Sequence, residues 1–402
     1  MSRLAFAFLL FSLACSAPPS NEPEQAALTQ RAADLAQQAI VVDTHIDIPY
    51  RFYEGVPEDL TQRAARHDFD YVRAKEGGLN AAFMSIFTPA NFQDTGESYD
   101  VANALIDIVE GFERQWPEHF AIARSVADVR EHFDRGMVSL PMGMENGAPV
   151  TDLASLRHFH DRGVRYITLT HSRTNHIGDS FNEPRKWNGL SPFGEEVVTE
   201  MNRLGMMVDV SHVSDETARD AIELTTAPPI ASHSSCRHFV PGFERNISDE
   251  LIRQLAAKGG VVNINFASFF ARADQYEKNG PVRAHLADFM QQHGLARNTT
   301  KLREYETQYR TERGLYSDVT DIVDHIEHVI GLVGVNHVGL GSDFDGLGSG
   351  LPEGLKDVSA YPNIVYHLLE RGHSEADIRK ICGENLLRVW ARVELRAAEL
   401  QQ

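Results

Sequence analysis

Five metal-capable side chains stand at the ends of short apolar runs: His45 and Asp47 in VVDTHIDIP, Glu145 in PMGMENG, His212 in MMVDVSHVS and His233 in PPIASHSS. Imidazole and carboxylate without thiolate suit Zn²⁺, with Mn²⁺, Co²⁺ or Fe²⁺ as alternatives. Successive side chains of a strand point to opposite faces, so His45 and Asp47, two apart, share a face and can grip one cation together. A second His-x-Asp pair, His132 and Asp134, is a control. It sits in VREHFDRG, a helical pattern in which residues two apart do not face each other. Taken singly, Glu145 reads as a turn residue and each histidine as a hydrogen-bonded core residue. Taken together they call for a common reason, and a two-metal hydrolytic centre supplies one.

Asp343, in HVGLGSDFDG, is the further candidate, with Asp345 on the same parity and glycines on both sides that let backbone or substrate come close. It could complete the metal shell, act as general base toward a bridging water, or form a loop turn. The Gly/Asp run is also similar to a calcium loop, but it lacks the spacing of an EF-hand. Asp47, Glu145 and Asp343 would put three anions in one pocket, where an unpaired buried charge costs on the order of several kcal/mol. Two divalent cations offset them and leave room for a bound hydroxide. The expectation is two ions about 3.5–4 Å apart, with Glu145 as the bridging carboxylate.

These residues need elements that bring distant strand ends together. Eight apolar, β-branched runs cover 40–49, 79–87, 138–147, 164–171, 206–213, 228–235, 259–266 and 337–346. Each is nearly continuous in hydrophobicity, as a parallel strand buried on both faces must be. Between them lie helical patterns such as 152–162, 192–204, 214–224, 248–258 and 317–332, several opened by Ser or Asp as an N-cap. Strand and helix alternating eight times predict an α/β fold, a (β/α)₈ TIM-like barrel whose strand exits converge on one face. Two helical patterns fill 99–135. A polar, Tyr- and Arg-rich insertion before the eighth strand, 266–319, is expected to form helices over the barrel mouth or against a partner subunit, or else a surface excursion. The segments 361–370, 374–382 and 384–399 read as closing helices.

Composition narrows the partners. The 402 residues carry 38 basic against 57 acidic side chains, a formal charge of −19, which argues against nucleic acid or an anionic membrane surface. No CxxC, HExxH, GxSxG or GxxxxGK[ST] occurs, which weakens serine-esterase and P-loop readings. Arg3 and the apolar stretch 4–14 read as a signal peptide over 1–14. Residues 15–30 then read as a flexible tether, and 31–402 as one metal-dependent barrel domain. Cys15 after Ser12-Leu13-Ala14 resembles a bacterial lipoprotein signal, so the expected product is exported and periplasmic or membrane-anchored through lipid, with cleavage and release as the alternative. Cys236 and Cys382 could pair, although nothing in the sequence brings them close.

DTHIDIP, GMENG, ITLTHS, VDVSHVS, IASHSS, ERNISD, GLGSDFDG and GENLLRVW together resemble, in order over 40–393, the membrane (renal) dipeptidase family, zinc peptidases of the amidohydrolase superfamily. The resemblance implies a dipeptide substrate, two Zn²⁺ and a homodimer. It implies His45 and Asp47 on one zinc, His212 and His233 on the other, Glu145 between them, and Asp343 as acid/base. It also implies that His171 polarises the scissile carbonyl and that Arg245 holds the substrate carboxylate. Without it, Arg245 reads as a surface residue and His171 as a strand-end core residue. A lactam, lactone or other small amide fits the same metal site, and a binding module that kept the fold without catalysis is the reading from another class.

Overall fold

A computed structural model describes residues 22–296 and 299–402. The signal-peptide reading and Cys15 lie outside the described residues. Eight parallel strands form the barrel: Val41–Ile46, Leu79–Phe87, Met142–Glu145, Val164–Thr168, Met207–Asp209, Ile230–Ala231, Val261–Ile264 and Val338–Leu340. The ring closes because the first strand pairs with both the second and the eighth, Asp43 lying opposite Leu340. The third apolar run, 138–147, is not one strand. Pro141 has no N–H to give the ladder, and it separates Val138–Ser139 from Met142–Glu145. The short piece pairs instead with Phe120–Ala121 beside the second strand.

The connecting helices start where the sequence places caps. Ser125, Asp152, Ser191, Ser214, Ser248 and Asp318 each accept a backbone N–H of the first helical turn. The control pair falls on helix Val126–Asp134, where His132 bonds Ser139 at 2.9 Å, away from the strand exits.

The tether reading of 15–30 needs correction over its described part, because Glu22–Gln38 is a helix. Past Pro23 the stretch is rich in Ala, Gln and Leu, good helix formers. Ala32, Leu35, Ala36 and Ala39 follow helical spacing and are buried, and the helix packs on Tyr361–Glu370.

The N-terminal ends of the strands are plugged by the closing helix Asn385–Leu400. Its Leu386, Trp390 and Val393 share a core cluster with Val42, Phe83, Tyr166, Met207, Ile230 and Val261. Gly383, just before it, admits no side chain: a Cβ there would lie 2.3 Å from the Ile40 carbonyl oxygen. Asn385 donates to the Val335 and Val338 carbonyls at 2.7 and 2.9 Å, which fixes the helix to the eighth strand. The insertion before that strand forms helices Ala273–His293 and Thr300–Glu312 around a small core of its own, Val282, Leu286, Leu302 and Leu315.

Candidate metal centre

At the opposite end, strand exits turn sharply, and several do so at non-glycine residues with positive φ: Asn146 at 77°, His212 at 65°, Asp343 at 66° and Asp345 at 65°. Such conformations cost free energy and persist where surrounding contacts enforce them, often at functional sites. Close backbone approach adds to the crowding. A Cβ on Gly346 would meet Asp47 Oδ2 at 2.2 Å and Asp343 Oδ1 at 2.4 Å.

Glu145 is the hub. Its Oε1 lies 3.0 Å from His212 Nε2, 3.3 Å from His233 Nε2 and 3.4 Å from His171 Nε2, and its Oε2 lies 3.4 Å from His45 Nε2. His45 Nε2 is 3.5 Å from Asp47 Oδ2, and the Nε2 atoms of His212 and His233 are 2.8 Å apart. Three donor sets converge: His45, Glu145 and His233; Glu145, His171 and His212; His45, Asp47 and Asp343. The sequence-derived candidates thus all meet at one barrel mouth, but His171 and Asp343 sit within the donor sets themselves, closer to the ligands than their expected roles required.

Two ring nitrogens are turned toward this centre by relays of fixed polarity. Tyr166 has one hydroxyl proton, and the Thr44 carbonyl at 2.8 Å can only accept it. The hydroxyl oxygen, 3.0 Å from His45 Nδ1, therefore accepts the Nδ1–H and leaves the lone pair on Nε2. Ser232 works the same way: its hydroxyl donates to Asp209 Oδ2 at 2.6 Å and so accepts from His233 Nδ1 at 2.7 Å. Asp209 is held in turn by Thr168 and by the backbone N–H groups of Ser211 and Ser232. Asp43 is a further buried carboxylate; it accepts the backbone N–H groups of His45 at 2.9 Å and Ser342 at 3.0 Å, tying the first strand exit to the eighth.

The charges are out of balance without cations. Asp47 and Glu145 are buried and Asp343 is half-buried beside them, and Arg245 is a permanent positive charge buried among them. Arg245 is not the surface residue its sequence suggests: it donates to the His233 carbonyl and His212 Nε2 at 2.8 Å and to Ser234 at 3.1 Å. Burial lowers its guanidinium to about 10. Burial, then the neighbouring Asp47, pushes the Asp343 carboxyl well above the usual range, and Asn265 donates to its Oδ2 at 2.8 Å. Burial also opposes ionisation of Glu145, but the surrounding imidazoles overturn it and hold that carboxyl well below the usual value. Burial, with the Arg245 guanidinium adding like charge, drives His212 and His233 well below the ordinary imidazole value, which keeps both neutral as a metal ligand requires.

Buried polar atoms without a hydrogen-bond partner complete the picture. They include His45 Nε2 and Asp47 Oδ1, metal-capable atoms of two residues in the donor sets. Leaving such atoms unpaired costs about 1–3 kcal/mol each, and divalent cations satisfy them. The residues fit a metal centre.

A model of the membrane dipeptidase family, peptidase family M19, matches residues 29–402. The chain belongs to that family. An uncharacterized dipeptidase of Schizosaccharomyces pombe is 34% identical over 93% of this chain and 85% of its own length. The dipeptidase aclJ of Aspergillus oryzae is 35% identical over 82% of this chain and 71% of its own. Among solved structures, the probable dipeptidase PvdM of Pseudomonas aeruginosa superposes with a TM-score of 0.79 at 28% identity, over 92% of this chain and all of that one. A metallopeptidase of Rhodobacter sphaeroides, liganded with a phosphinate mimic of the dipeptide L-Ala-D-Ala, superposes with a TM-score of 0.72 at 26% identity, over 88% of this chain and 99% of that one. These matches make the protein a dipeptidase-type hydrolase whose family implies a metal cofactor.

Sequence reasoning passed over Tyr166, Asp209, Ser232 and Asp43. A signal was present for the two aspartates: each interrupts an apolar run two or three residues before a candidate ligand, Asp43 before His45 and Asp209 before His212. A carboxylate inside a buried strand must be held by something, and here it holds the backbone and side chains of the ligand-bearing loops. The two remaining cysteines, Cys236 and Cys382, are buried and free, so the possible pairing does not form.

Proposed function

We propose that this protein cleaves the peptide bond of dipeptides with two Zn²⁺ held by His45, Asp47, Glu145, His212 and His233. The single observation that carries this reading is the convergence of four imidazoles on one buried carboxylate, Glu145. When bound, the cations supply Lewis acidity, which lowers the pKa of water toward about 7 and polarises a carbonyl. Asp343 takes the proton of the attacking water and returns it to the departing amine nitrogen, a task suited to a carboxyl whose proton affinity is raised by its site. His171 Nε2 stabilises negative charge as it grows on the carbonyl oxygen. Arg245 clamps the substrate carboxylate: three of its five N–H groups are held by Ser234, His212 and the His233 carbonyl, and its Nε, buried without a partner, is among the donors it has left to give.

The space above the centre suits a small substrate. A cavity of about 620 Å³ extends from Asp47, Glu145, His171, His212 and Asp343 to Leu286, Met290 and Leu302 of the inserted helices. The insertion roofs the mouth, which favours short peptides over chains that must thread through. The phosphinate-bound relative supports the same substrate class, since phosphinate is tetrahedral at phosphorus as an attacked amide carbon is. Export through a signal over 1–14, lipid attachment at Cys15 and a homodimer belong to the same proposal.

The test is metal analysis combined with a screen of dipeptides of mixed chirality beside lactams, lactones and other small amides. Dipeptide cleavage that is abolished by chelation and restored by Zn²⁺ is the expected result. Fewer than about one tightly bound metal per chain, chelator-resistant cleavage, or turnover of the lactams and lactones alone would overturn it.

A further inference from the structure

We propose a third divalent-cation site, outside the barrel mouth, formed by His238, Asp249 and His328. The three come from separate elements: the 3₁₀ turn Arg237–Phe239, the first residue of helix Asp249–Ala257, and helix Val319–Val333. Each offers a ligand atom, and these atoms lie within 4.8 Å of one another. His328 Nε2 is 2.8 Å from Asp249 Oδ1, and the rings of His238 and His328 are stacked with centroids 4.3 Å apart. None of the three belongs to the donor sets around Glu145.

The competing account is a surface His–Asp hydrogen bond with a second ring resting on it. Two features favour a cation. Asp249 opens its helix, but Ser248 caps that helix, accepting the Leu251 N–H, so the Asp249 carboxylate is left for His328 and a ligand. One turn before His328, His325 has both ring nitrogens committed, Nδ1 to the Cys236 N–H at 2.8 Å and Nε2 to the Ala271 carbonyl at 3.1 Å. The buried histidine therefore anchors the turn, while the two outer histidines stay accessible to a metal. Two imidazoles and a carboxylate without thiolate select a borderline ion such as Zn²⁺, Ni²⁺ or Cu²⁺, with water filling the open positions. The loop that starts at His233, passes through His238 and ends at Arg245 would be tied by this ion to two helices.

Calorimetric titration of Zn²⁺ into enzyme already loaded at the barrel mouth tests the site. Wild type should take up one further equivalent per chain. His238→Asn and His328→Asn should each weaken that step about 100-fold or more, beyond the 10–100-fold that losing a supporting hydrogen bond brings, while dipeptidase activity without added metal stays unchanged. Cu²⁺ bound at this step should show coupling to two imidazole nitrogens in wild type and to one in either variant. Should His328→Asn fold poorly, His238→Asn decides, because His238 is exposed. No further equivalent in wild type, or an equal one in the variants, overturns the proposal.

Discussion

The two ends of the barrel are built on opposite principles from the same eight strands. At the N-terminal end, Val42, Phe83, Met207, Ile230 and Val261 meet Leu386, Trp390 and Val393 in an apolar plug. At the C-terminal end, three carboxylates, four imidazoles and a guanidinium crowd together, with non-glycine residues held at positive φ. Apolar burial is favourable without further conditions, whereas the charged end calls for compensation of the kind that divalent cations would supply. The barrel thus separates what keeps it folded from what it does. Removing metal is the largest way to break that separation: chelation should abolish activity while circular dichroism and cooperative unfolding persist. Loss of both together would show that the plug does not hold the barrel alone.

Next in size are changes confined to one end. Asp343→Asn should keep the metal content of wild type and lower turnover roughly 10²–10⁴-fold, the usual weight of general acid/base catalysis; steady-state kinetics with metal analysis checks it, and near-normal turnover would remove Asp343 from the role. The matching blow to the other end is Trp390→Ala, which empties a fully buried site. It should cost about 3–5 kcal/mol of stability, read by denaturant unfolding, with turnover per folded molecule unchanged. A fall in turnover instead would mean that the ends are coupled.

Tyr166 is the residue through which such coupling would run. Its ring belongs to the plug, 5.5 Å from Phe83, and its hydroxyl orients His45. Tyr166→Phe keeps the ring and removes the relay; Ser232→Ala does the same for His233. Each should weaken metal affinity about 10–100-fold, the typical effect of losing an outer hydrogen bond to a ligand, measured by competition with a chromophoric chelator. Unchanged affinity in both would show that the ring orientations are set by packing.

The same division explains what could be read from the sequence. The plug and the strands are repetitive, and apolar periodicity marks all eight runs. Their ends are less legible, because hydrophobicity does not say where the ladder stops: 228–235 keeps only Ile230–Ala231 as strand, and from Ser232 onward the side chains bond around Asp209, Ser211 and Asn265 instead. That His45, Asp47, Glu145, His212 and His233 come together is legible, because metal-capable residue types recur at strand exits that a barrel gathers on one face. Arg245 was not, since its loop has no periodicity and its place comes from contacts with His212, Ser234 and the His233 carbonyl. Likeness to a family supplied what local pattern lacked. Helix Glu22–Gln38 was missed for a different reason: the Pro- and Ser-rich residues before it mask its start.

The rim of the mouth meets the problem of buried charge on a smaller scale, with a guanidinium from the insertion as the countercharge. Asp68 and Asp345 clasp each other through backbone: Asp345 Oδ1 accepts the Asp68 N–H at 3.0 Å, and Asp68 Oδ2 accepts the Asp345 N–H at 3.0 Å. Arg303, from the inserted helices, pairs with Asp68 and donates to the Arg66 carbonyl at 2.6 Å, fastening the roof to the rim. Burial and the nearby Asp345 outweigh Arg303 and raise the Asp68 carboxyl from 3.8 to about 6. Between those two values the folded chain binds more protons than the unfolded one, so the contribution of Asp68 to stability falls as pH rises through 6. Asp68→Asn removes the titration and keeps a carbonyl acceptor for the Asp345 N–H. Between pH 5 and pH 7, wild type should therefore lose about 1 kcal/mol of stability relative to Asp68→Asn, measured by urea unfolding of both proteins at equal metal loading. A stability difference that stays constant over that interval would mean that Arg303 neutralises Asp68 fully, and that the rim, unlike the centre, needs no cation beyond the one its own insertion brings.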